Sequence, residues 1–143
     1  MRQGSRVKLS PETFFINNMS KKFNKTKVFF IVMTLLTALE IFLFSNISLP
    51  VGEKTGFNLA MLYHFGVFFM FTFFFTLSIK NKKIDSKTIV IILLISLVYA
   101  ISDEFHQLFV IGRFASTKDV LTDFLGSCFS VLILKVFERF NKL

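Results

Sequence analysis

Three observations predict an all-α fold, a four-transmembrane-helix bundle. The 143-residue chain is 53% hydrophobic and carries 22 phenylalanines, with a mean hydropathy of +0.64; a water-surrounded fold this small has no interior for so much Phe. Four stretches approach the roughly 20 apolar residues that a helix needs to cross a hydrocarbon core of about 30 Å. The net charge of +8 comes from Lys and Arg gathered at the ends of those stretches, the distribution of a membrane protein. The basic excess therefore points to anionic membrane lipids as partners, and no nucleic-acid partner is expected.

Residues 1–27 read as a basic arm and residues 28–143 as the membrane domain. In the arm, Ser10-Pro11 has the pattern of a helix start, and Phe15, Met19 and Phe23 recur at fourfold spacing opposite lysines. A short interfacial helix and a disordered arm both fit. The first span, 28–49, follows a basic stretch as a signal peptide core does. It is too long for one and lacks a small-x-small cleavage site, so it reads as a retained span, stopped by Pro50 and Gly52. The second span, 57–79, stops at Lys80, Lys82 and Lys83. The third begins near Thr88, stays apolar to Ile101 and turns polar at SDEFHQ. The fourth covers about 119–137. The only cysteine, Cys128, lies in an apolar run, which excludes an intramolecular disulfide.

Fourteen of the seventeen basic residues fall in the arm, the 80–87 segment and the C-terminal end; loops 50–56 and 109–118 hold only Lys54, Arg113 and Lys118. By the positive-inside rule both termini are cytoplasmic and those two loops are outside. That orientation carries Ser45, His64, Glu104, Gln107, Asp119 and Asp123 into the outer half of the bilayer, with Glu40 near its midplane. An ionised group in hydrocarbon costs about 3 kcal/mol on insertion scales, so such groups need partners or a wet cavity. Arg113, in the apolar loop LFVIGRF, is the only outer-half arginine, and its planar fork suits a carboxylate or a phosphate equally. Plainer roles fit the same residues one by one. His64 can bridge two helices, Asp119 can cap the fourth helix and answer its dipole, and Asp123 can face water. Glu40 can be protonated and bonded to a neighbouring helix. Asp103 and His106 sit where polar residues are ordinary, and Gly126 with Ser130 has the spacing of a close helix contact.

The stretch DEFHQLFVIGRFASTKDVLTDFLG closely resembles the signature of the VanZ-like family. Glu104, Gln107, Gly112, Arg113, Asp119 and Gly126 match that signature in order, His64-Phe65 matches the His-Phe pair of the family's second helix, and Phe44-Ser45 matches the end of its first. The resemblance covers roughly residues 28–137. The chain departs from it at Asp123, where the family commonly has Asn, and at Phe68, where the family has an aromatic hydroxyl. What the resemblance implies is a small cell-envelope protein, in a family whose founding member is linked to teicoplanin resistance, with no reaction attached.

Taken with the topology, these residues suggest an outer-leaflet site that binds or modifies an envelope lipid or lipid-linked amphiphile. Glu104, His64 and Asp119 are expected to be catalytic, with Glu104 and His64 handling a proton. Arg113, Gln107, Ser45 and Asp123 are expected to bind substrate, with Arg113 on an anionic head group. The partners expected are membrane lipids and a lipid-linked envelope precursor or glycopeptide, in a multi-pass protein of the cell membrane. No cofactor is expected and no metal ligand is assigned; a metal site built from His64, Glu104 and Asp119 is a third and weaker reading, since no local ligand spacing supports it. The other reading is a non-catalytic module whose polar cluster locks the helices together or binds a partner membrane protein.

Overall fold

The computed structural model describes residues 10, 12, 25–47, 59–80 and 84–140. The arm, the 48–58 loop and the 81–83 segment otherwise lie outside the described residues, and with them the expectation of an interfacial helix. Four helices are described: α1 (Lys25–Ser45), α2 (Leu59–Ile79), α3 (Ser86–Gln107) and α4 (Thr117–Phe140). Each is long and apolar enough to cross a membrane. Their outward faces carry large apolar side chains such as Leu35, Leu94, Val98 and Leu132, as helices solvated by lipid must.

The ends of the helices have local causes. α1 stops at Ser45, short of the predicted 49, because the chain tightens there. The amides of Asn46 and Ile47 bond three residues back, at 3.2 and 3.1 Å, and the Asn46 side chain donates to the Phe42 carbonyl at 2.6 Å, so the last carbonyls are satisfied. α3 begins at Ser86 because Asp85 caps it, accepting from the Thr88 amide at 2.9 Å. That bond holds the Asp85 carboxyl below its ordinary range. At its other end α3 continues through the polar SDEFHQ stretch, which forms its last two turns. α4 begins at Thr117, and its cap is Ser116 rather than Asp119. The Asp119 amide bonds to Ser116 Oγ at 3.4 Å and to its carbonyl at 3.0 Å, which leaves Asp119 as an acidic residue in the first turn, where it answers the helix dipole.

α2 is the hub of the bundle, packing most extensively on α4 and then on α1, while α4 also packs on α3. Gly126 permits the α2–α4 approach: a Cβ there would run into the Phe65 carbonyl. Phe68, the aromatic without a hydroxyl, is fully buried in a core with Ile41, Val67, Phe71 and Ala100, and its ring packs on Tyr99 at 5.9 Å. The Tyr99 hydroxyl donates across to the Ala38 carbonyl of α1 at 2.7 Å. At the end bearing the 80–84 segment, Glu138 of α4 pairs with Lys80 at 3.4 Å and Lys135 at 3.6 Å and accepts from the Ile84 amide at 3.3 Å. Lys135 also bonds the Ile84 carbonyl.

Candidate functional site

The opposite end of the bundle holds the polar residues. α2 and α4 both enter from that end, with His64 five residues beyond Leu59 and Asp123 six beyond Thr117. At 1.5 Å per residue the two lie at a shared depth of about 8–9 Å. There His64 Nδ1 meets Asp123 Oδ1 at 3.0 Å, both residues being buried. With Nδ1–H donating to the carboxylate, Nε2 is left as the basic ring nitrogen. Among the described residues Asp123 Oδ2 has no hydrogen-bond partner.

The last two turns of α3 supply Asp103, Glu104 and Gln107, all buried. Gln107 Nε2 donates to Asp103 Oδ2 and to Glu104 Oε1, each at 3.0 Å. The Ser116 amide donates to Glu104 Oε2 at 2.6 Å, so the Glu104 carboxylate ties the α3–α4 loop to the helix that precedes it. Because Glu104 faces α2 and α4, one donor atom each from His64, Glu104 and Asp123 lies within 4.8 Å of the others. Beneath them a line of hydroxyls joins three helices. Thr72 bonds Ser96 at 3.0 Å and Ser127 at 2.9 Å, and Ser127 donates to the Asp123 carbonyl at 3.0 Å.

Of the residues expected to act together, His64, Glu104, Gln107 and Asp123 are assembled. Asp119 stays half-buried at the rim, within electrostatic reach of His64, Glu104 and Asp123 but bonded to none of them. The carboxylate that meets His64 is thus Asp123, one turn deeper. Arg113 is half-buried, and among the described residues its Nε is enclosed without a partner and it makes no ion pair. Ser45 is buried at the end of α1 with its hydroxyl unpartnered. Glu40 lies apart, on an exposed flank of α1, in a groove shared with Thr37, Tyr63 and Gly66. His106 also faces away from His64: it bonds Asn46 at 3.1 Å and packs on the Phe42 ring, tying α3 to α1.

Sequence reasoning missed Asp103 as a cluster member. The signal was present, since Ser96, Ala100, Asp103 and Gln107 recur at three- and four-residue steps and all are buried, the stripe of one inward helix face.

Four carboxylates therefore gather at this end, and among the described residues no Lys or Arg forms an ion pair with any of them. Above them runs the loop 108–116. Gly112 takes φ 82°, the left-handed position that a turn closed by the Arg113 amide on the Val110 carbonyl requires. Around Arg113 the loop exposes Phe109, Ile111 and Phe114, an apolar collar suited to the membrane interface. This end of the bundle offers a basic imidazole nitrogen and, among the described residues, a bare carboxylate oxygen and an arginine without an ion pair.

Neither the curated proteins nor the solved structures give a match to this chain. The model of the VanZ/LLP1 family matches residues 2–138, a span that contains α1 to α3, all but the last two residues of α4 and every residue of the cluster, and the chain belongs to that family.

Proposed function

We propose that this multi-pass membrane protein acts in the cell envelope, where its polar end binds or modifies an envelope lipid or lipid-linked amphiphile arriving from the outer leaflet. The carrying observation is the half-buried Arg113, its Nε without a partner among the described residues, in an exposed apolar loop that Glu104 ties to the end of the bundle holding the buried His64–Asp123 pair. An arginine half-buried at a membrane end with no carboxylate on it retains its two-point grip for an anionic head group. At the same end of the bundle, His64 is held in one orientation by Asp123, the condition for a group that takes up or delivers a proton. Glu104, with each oxygen already accepting a bond, positions the loop that carries Arg113. The outward orientation rests on the fourteen basic residues gathered at the other side.

One observation favours the second reading, a structural or partner-binding module. Gln107 and Glu104 satisfy one another and the loop, as a lock between helices would. Arg113→Lys separates the two readings, because it keeps the charge and loses the fork. Native mass spectrometry of purified protein, with lipid profiling of cells, is expected to find an anionic lipid-linked species on the wild type. Its retention should fall at least about tenfold in the folded Lys variant. Identical retention by both proteins, or none by either, would leave only the structural module. Given the family, susceptibility of cells to teicoplanin is the physiological readout to follow in parallel.

A further inference from the structure

We infer that His64, Glu104 and Asp123 bind one divalent transition-metal ion, Zn²⁺ or Mn²⁺ by their chemistry. The three residues come from α2, α3 and α4 and are buried at 6, 4 and 0% exposure. Each offers a donor atom within 4.8 Å of the others. One imidazole nitrogen with two carboxylates is a donor set for such ions. On binding the ion His64 Nδ1 would give up the proton it donates to Asp123 Oδ1, and the 3.0 Å between these two atoms is also the spacing of neighbouring ligands. Two ligands about 2.1 Å from an ion and at right angles to one another stand about 3 Å apart. Around a six-coordinate ion such as Mn²⁺, ligands on opposite sides stand about 4.2 Å apart, so the widest pair needs to close by little more than about half an ångström; around tetrahedral Zn²⁺ ligands stand about 3.4 Å apart and the closure is about 1.4 Å.

Two further observations point to a cation. Asp123 is completely buried, yet among the described residues its Oδ2 has no partner; the nearby Ser127 hydroxyl is spent on the Asp123 main-chain carbonyl instead. A bare carboxylate oxygen inside a protein is costly, and a metal ion would complete it. The charge balance agrees. Asp103, Glu104, Asp119 and Asp123 share one end of the bundle, and the Arg113 guanidinium pairs with none of them. The remaining bonds supply the outer support that metal ligands need: Gln107 and the Ser116 amide fix Glu104 while leaving each oxygen a lone pair.

The ion also eases a difficulty in the function proposed above, and only this clause rests on that reading: four carboxylates repel an anionic head group, whereas a dication among them offsets half of their charge.

The test uses full-length protein in detergent, stripped with chelator and titrated with ZnCl₂ or MnCl₂ alone. Elemental analysis is expected to find one ion per chain, with affinity falling at least about tenfold in Asp123→Asn and in Glu104→Gln. Pulsed electron paramagnetic resonance of the Mn²⁺ form should show one imidazole nitrogen, retained in His106→Gln, which removes the only other histidine. Absence of a stoichiometric ion on folded wild type would overturn the inference. So would loss of the nitrogen coupling in His106→Gln. If the carboxylate variants fail to fold, the wild type and His106→Gln still decide. Metal binding without a retained lipid would sink the functional proposal alone, and a retained lipid without metal would sink only the ion.

Discussion

The His64–Asp123 contact is unequal between its partners, and that inequality can be measured. Removing the imidazole leaves a fully buried carboxylate with no hydrogen bond at either oxygen, whereas removing the carboxylate charge leaves a neutral ring beside an amide that can still bond it. Stranding a buried charge costs about 3–5 kcal/mol; weakening a buried hydrogen bond costs about 1–2 kcal/mol. His64→Ala is therefore expected to lower stability in detergent well beyond Asp123→Asn, as read by thermal unfolding followed by circular dichroism. Equal losses would mean that the contact is not one of a buried charge with its partner. The departure of this chain from the family's common Asn at position 123 then has a physical meaning: it places a charge where the family commonly has an amide.

At the scale of helices, most of the fold was legible. Length and hydropathy alone located four spans, because a hydrocarbon slab imposes one length on every crossing. The ends were less legible, since they depend on single side chains. Ser116, not Asp119, caps α4, and the polar SDEFHQ stretch remains helical because its carboxylates turn inward. Nor could periodicity tell whether Asp119 or Asp123 meets His64, because the two share a face. Depth decides it, through the matching distances of His64 and Asp123 from their helix starts. A three-helix donor set leaves no spacing along the chain, which is why a metal site was only the third and weaker reading of the sequence. Helix contact gives a paired prediction. Gly126→Ala drives a methyl into the Phe65 carbonyl, while a Cβ at Gly66 meets nothing within 4 Å. Gly126→Ala is expected to part α2 from α4 at a cost of about 1–3 kcal/mol. Gly66→Ala should be neutral or gain up to about 1 kcal/mol from helix propensity. Unfolding of the two proteins in SDS checks the order, and reversal of that order would mean that the close α2–α4 approach at Gly126 is wrong.

For the molecule as a whole, orientation is the property on which the outer-leaflet proposal depends. The single cysteine makes its measurement simple, since Cys128→Ser gives a background without thiols. A cysteine then placed at Thr55 is expected to react with an impermeant thiol reagent applied to intact cells, and one placed at Lys82 only after lysis. The opposite pattern would turn the cluster toward the cytoplasm and exclude an outer-leaflet ligand. The loop above the cluster has one more consequence. Its exposed Phe109, Ile111 and Phe114 suit it to the boundary between hydrocarbon and head groups, and its Ser116 amide is bonded directly to Glu104. A bilayer that thins or thickens moves that boundary along the helices at a cost of fractions of a kcal/mol per ångström. Because one backbone bond links the loop to a buried carboxylate, the strain reaches Glu104 without crossing the bundle, and the geometry of the polar cluster is tied to the acyl-chain length of the lipids around it.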